Sequence, residues 1–113
     1  MSEVYSKVYI AVLEEVDDFM VPTLVAHSML GAHLEFSGDS VYDSWLENSF
    51  RKVVLRVNEK EFEKIKTLPN FKVYLGHENT QLEARKSCAV VSPVSSKDVP
   101  NVLKYAKLWK PSA

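Results

Sequence analysis

The chain has 113 residues, 46% hydrophobic and 26% charged, with a formal net charge of −1. That length makes one domain, residues 1–113, able to bury about two-thirds of its unfolded surface, and the balance excludes a disordered or collagen-like chain. The single cysteine, Cys88, leaves no internal disulfide and points to a reducing, cytoplasmic setting; Met1-Ser2-Glu3 is not the basic lead-in of a secretory signal, and no apolar run approaches the ~20 residues that span a bilayer, so no membrane partner is expected.

In chain order, Ser6 to Leu13 (SKVYIAVL) is rich in Val, Ile and Tyr and predicts a buried strand. The acidic stretch Glu14 to Asp18 ends it. Pro22 suits the first turn of a helix, and the following residues through Leu34 keep helical spacing. Gly31 inside that helix is unfavourable by about 1 kcal/mol against alanine, which predicts the close approach of another backbone. Ser37-Gly38-Asp39-Ser40 is a break, and Val41 to Asn48 a short helix with Tyr42, Trp45 and Leu46 on one side. Its aromatics, through Phe50, either cap the core or support a homodimer.

Arg51 to Val57 is a second strand. Asn58 with Glu61 three residues later resembles a capping box, opening a helix over 59–68 that turns Phe62, Ile65 and Leu68 inward and stops at Pro69-Asn70. Phe71 to Leu75 is a third strand and Lys86 to Ser92 a fourth, joined by ten residues without apolar periodicity, Gly76 to Arg85. Ser95 or Ser96 caps a last helix running through Trp109. This alternation predicts an α/β sandwich, with helices on both faces of a mostly parallel sheet and one antiparallel member near residues 76–85.

Charge is unevenly spread. Residues 1–50 hold one base, Lys7, against nine acids, and residues 51–113 hold thirteen bases against six. Such asymmetry marks either a basic face for a polyanion or two halves that neutralise each other on folding. Lys104, Lys107 and Lys110, on one side of the last helix beside Tyr105 and Trp109, allow the same two readings.

Ligands of open α/β sheets bind beyond the carboxyl ends of the parallel strands. Those ends lead into residues 14–20 and 76–85, and the second loop carries His77, Glu78, Asn79, Thr80, Gln81, Glu83 and Arg85. It reads equally as a site or as a solvated turn. His27 and His33 are six residues apart, off the i,i+4 spacing of a helical zinc pair, so neither a metal nor another cofactor is expected. Cys88 is either a buried strand residue or a nucleophile paired with His77.

The stretch His27-Ser28-Met29-Leu30-Gly31-Ala32 resembles the histidine-small-x-leucine-glycine-alanine helix of the type II peptidyl-tRNA hydrolases. Thr80-Gln81, then Ser87 through Pro93, then Lys104-x-x-Lys107-Leu108-Trp109 are similar to that family's C-terminal half, so the likeness runs from about Val8 to Trp109. It implies a three-layer α/β/α sandwich with a four-stranded mixed sheet. It also implies metal-free hydrolysis of the ester joining a peptide to the 3′ end of tRNA, with tRNA or a nucleotide-linked ester as partner. The family's threonine and glutamine fall on Thr80 and Gln81, and its second threonine falls on Ser87. Its two essential lysines fall on Asp18 and Met20, and its aspartate falls on Gly76.

Ester hydrolysis needs a base for water and donors for the oxyanion, and a tRNA end needs cations. His77 as base, with Thr80 and Ser87 orienting water, is the catalytic set these residues allow; Asp18, Gln81, Arg85 and Lys86, with Lys52 as a further cation, are the substrate-binding set. Two functions follow: a hydrolase of peptidyl-tRNA or a related ester, and a non-catalytic binding or dimerisation module of the same fold.

Overall fold

The computed structural model describes residues 4–111. Strand β1 spans Ser6–Leu13 and its last six residues are buried, as its unbroken apolar run requires of a central strand. A single 3₁₀ turn, Asp18–Met20, leads into helix α1, Val21–Phe36, which starts with Pro22 in its first turn. Helix α2, Ser40–Glu47, is capped by the Asp39 carboxylate, which accepts from the Val41 and Tyr42 amides. Strand β2 covers Arg51–Val57 and helix α3 Glu59–Lys66. The capping box forms: the Asn58 side chain accepts from the Glu61 amide at 2.8 Å, and the Glu61 carboxylate accepts from the Asn58 amide at 2.9 Å. Strands β3, Val73–Gly76, and β4, Cys88–Ser95, follow, then helix α4, Asn101–Lys104, and strand β5, Lys107–Leu108.

The strands form one open sheet in the order β3-β4-β1-β2-β5. Only β1 and β2 pair in parallel; the β1–β4, β3–β4 and β2–β5 pairs are antiparallel. The expectation of a mostly parallel sheet is therefore corrected to a mixed one, and the four strands of the mixed sheet that the resemblance implies are corrected to five. The fifth strand lies where a longer last helix is expected. The helix ends after one turn, and Lys107–Leu108 pairs with Leu55 and Arg56. The Trp109 amide then donates to Val54 O at 2.9 Å. Covering the open edge of β2 outweighs continuing a helix, because an uncovered edge leaves a row of unpaired backbone groups. Lys104 and Lys107 consequently share no helix face.

The register of β4 on β1 shifts by one residue between the Tyr9–Val91 and Lys7–Val94 pairs. That bulge accommodates Pro93, which has no amide to give a central ladder.

Alternation along β1 and β2 serves two faces. Lys52 lines a cleft with α1 and α2 residues, whereas Val53 and Leu55 line one with α4. Helix α3 packs against β1 and α4. Gly31 of α1 faces not a backbone but the Tyr74 ring, which occupies the space a β-carbon would need. Tyr42 and Trp45 are each 1% exposed, so these two aromatics belong to the core. The acidic and basic halves do pair across the fold, through Asp18–Arg56 and Asp39–Lys72. Among the described residues no helix is long and apolar enough to cross a membrane.

Candidate functional site

Because β4 runs against both β1 and β3, the end of β1, the end of β3 and the start of β4 come to one corner of the sheet. The Leu13 amide donates to Ser87 O at 3.0 Å, the Ser87 amide to Gly76 O at 2.9 Å, and the Glu14 amide to Val57 O at 2.8 Å. The loops 14–20 and 76–87 meet there directly: the Asp17 amide donates to Gln81 Oε1 at 3.0 Å. Gln81 is buried, and its side chain serves as the clasp between the loops.

The second loop is held in an unusual conformation. Leu82, Glu83 and Ala84 have φ of 48°, 55° and 62°, a left-handed turn built without glycine or asparagine. Each such residue costs about 1–2 kcal/mol. The turn persists because its surroundings determine it. Leu82 packs on the core, Gln81 is clasped to Asp17, and the Arg85 guanidinium donates to both oxygens of Glu59 at 2.8 and 2.9 Å.

The remaining polar residues of the corner are bonded as follows. Glu78 accepts from the Thr80 amide at 2.9 Å and the Thr80 hydroxyl at 2.8 Å. Those two bonds, the backbone one first, lower its carboxyl pKa, and the nearby His27 and His77 lower it further. Lys86 Nζ and His77 Nδ1 are 3.1 Å apart; an ammonium has only protons to give, so Nδ1 accepts. Asp18 pairs with Arg56 at 2.9 Å, and Arg56 also donates to Lys110 O at 2.9 Å. No hydrogen bond joins His77 to Thr80 or to Ser87. Lys52 lies at the opposite end of β2 from this corner, in the cleft between α1 and α2, and is not one of its cations.

Ser87 is 0% exposed and its hydroxyl has no hydrogen-bond partner among the described residues. Ser28 of α1 is likewise buried, with its Oγ against Gly76 and beside the thiol of Cys88, without an oxygen or nitrogen partner. Burial pushes the Cys88 thiol up to about 12, the Ser28 hydroxyl opposing this only in part. A thiol so placed holds its proton at neutral pH and is no nucleophile.

Sequence reasoning passes over Arg56 and Glu59 and places Glu78 in the loop without a bonding role, yet their carboxylates and guanidinium fix the named residues. Glu78 is two residues before Thr80, the spacing of a side chain that closes its own turn, and that signal is legible. The Arg56 and Glu59 pairings connect distant segments and leave no local signal. Among the described residues no three His, Cys, Asp or Glu come together as a metal site. No protein-family model matches the chain, and a search of the curated proteins gives no match.

Proposed function

We propose that the chain is a three-layer α/β/α relative of the type II peptidyl-tRNA hydrolases that acts as a binding module without cleaving the ester. The observation that supports this is the bonding of His77. The imidazole at the corner accepts from Lys86 and makes no hydrogen bond to either hydroxyl. In the neutral ring Nε2 then carries the hydrogen, so the imidazole has no free lone pair with which to take a proton from water, the group a base deprotonates in this hydrolysis. Ser87 is closed to solvent and Thr80 gives its proton to Glu78. The cations are also engaged, although an exposed pair such as Arg85–Glu59 is worth at most about 1 kcal/mol and yields to a stronger anion.

The hydrolase reading stands second, on the Asp17–Gln81 clasp, which brings the Thr80-Gln81 turn against the loop where the family carries its lysines. The two readings separate in one assay. Incubated with peptidyl-tRNA, the wild type and Thr80→Ala are expected to release peptide at the same background rate. A positioned base or water-orienting group contributes about 100-fold or more. A wild-type rate exceeding the variant's by that factor would replace the binding module with the enzyme.

A further inference from the structure

A second cleft lies away from the corner, on the face of the sheet that carries α4. Its volume is about 410 Å³. Three lysines from separate parts of the chain line it: Lys7 of β1, Lys97 of the turn after β4, and Lys104 of α4. No carboxylate is among its lining residues, and none of the three lysines forms an ion pair among the described residues. Their compensation is aromatic: Lys104 Nζ sits 5.5 Å from the Tyr105 ring centre, and Lys7 Nζ 5.7 Å from that of Tyr9 and 5.9 Å from that of Tyr5. Between the lysines the floor is apolar, with Leu103 buried and Val99 half-buried. Tyr9, another of the lining residues, is 9% exposed, and its burial, reinforced by Tyr5, raises the phenol pKa and keeps it protonated and able to donate.

Three like charges around an apolar concavity repel one another, and among the described residues no carboxylate pairs with any of them. The geometry points to a binding site for a phosphate monoester with a planar or apolar body, the phosphate held by Lys7, Lys97 and Lys104 and the body laid on the floor at Leu103. A doubly charged phosphate suits three point charges better than a single carboxylate does. The volume falls within the usual range for small-molecule sites, about 300–1,000 Å³. This site is independent of the corner, so it stands or falls apart from the hydrolase question.

The test is a titration of the full chain with adenosine 5′-monophosphate, adenosine, inorganic phosphate and a single-stranded oligonucleotide, followed by amide chemical shifts. The monophosphate is expected to saturate below about 1 mM, with shifts confined to Lys7, Tyr9 and residues 96–104. Adenosine and inorganic phosphate are each expected to bind about tenfold or more weakly, since each keeps half of the recognition. Lys7→Ala and Lys104→Ala are expected to cost about tenfold each, while Lys64→Ala, on the exposed side of α3, leaves affinity unchanged. Unfolding midpoints of the three variants should match the wild type, which separates lost binding from lost fold. The proposal is overturned if the monophosphate does not saturate, if adenosine or phosphate alone binds as well, or if the lysine variants bind normally. It is also overturned if the oligonucleotide binds far more tightly with shifts spreading beyond the cleft, because the occupant is then a nucleic-acid strand.

Discussion

Trp45→Ala is expected to be the most destabilising single substitution outside the backbone-constrained positions, at about 3–5 kcal/mol. Trp45 is the largest of the fully buried side chains, 1% exposed. Its ring lies 5.3 Å from that of Tyr42 and 5.4 Å from that of Phe50, and its indole N–H donates to Arg51 O at 2.8 Å. It therefore joins α2 to the start of β2, the far end of the crossover that makes β1 and β2 parallel. Truncation loses the transfer free energy, leaves a cavity between α2 and the sheet, and strands a carbonyl that the indole had satisfied. Since such domains are stable by about 5–15 kcal/mol in total, the loss is a large part of the whole. Urea unfolding measures it. Trp45→Phe dissects it, because phenylalanine keeps most of the apolar contact and loses the donor, for an expected cost of about 1–3 kcal/mol. Equal midpoints for Trp45→Ala and wild type would mean that α2 does not pack as described.

Gly76→Ala is expected to cost about 3 kcal/mol, the upper end of ordinary overpacking. A β-carbon at residue 76 would clash with Ser28 Oγ and lie 2.8 Å from Ser28 Cβ and 3.3 Å from its Cα. The obstacle is thus α1 itself, not the tip of a flexible side chain. Ser28→Gly removes the two nearest atoms and costs about 1 kcal/mol of helix propensity by itself. Combined with Gly76→Ala it should recover about 1–2 kcal/mol, a positive coupling readable in a double-mutant cycle. The same argument explains why an aspartate, the residue expected at this position from the family resemblance, has no room at residue 76. Additive costs in the cycle would show that residues 28 and 76 are not in contact.

Strands β1 and β2 and the Asn58–Glu61 box were legible because their signals are local: an unbroken apolar run, alternation, and a cap three residues before its partner. The chain after Leu103 was not. Lys107-Leu108-Trp109 keeps helical spacing with what precedes it, and only the unpaired edge of β2, far away in sequence, draws it out into a strand. The left-handed turn at Leu82–Ala84 was equally hidden, since none of its three residues is a glycine or asparagine. Gly31 announced a close approach but not its source, which is the Tyr74 ring. At the candidate site, the choice of the two loops was legible from the rule that ligands bind beyond the carboxyl ends of strands. The partners of Asp18, Arg85 and His77 were not, because Arg56, Glu59 and Lys86 reach them through tertiary geometry.

The account rests on Gln81 tying the loop 14–20 to the loop 76–87, and hydrogen exchange at one amide tests this most directly. The Asp17 N–H is given to Gln81 Oε1 and Asp17 itself is exposed, so its protection depends on that bond. In Gln81→Ala the Asp17 amide is expected to exchange about fivefold faster than in the wild type, as the loss of about 1 kcal/mol of hydrogen bonding implies, while amides in the middle of β1 keep their rates. An Asp17 amide that exchanges at the same rate in both proteins would show that the two loops are not joined, and the corner would cease to be a site.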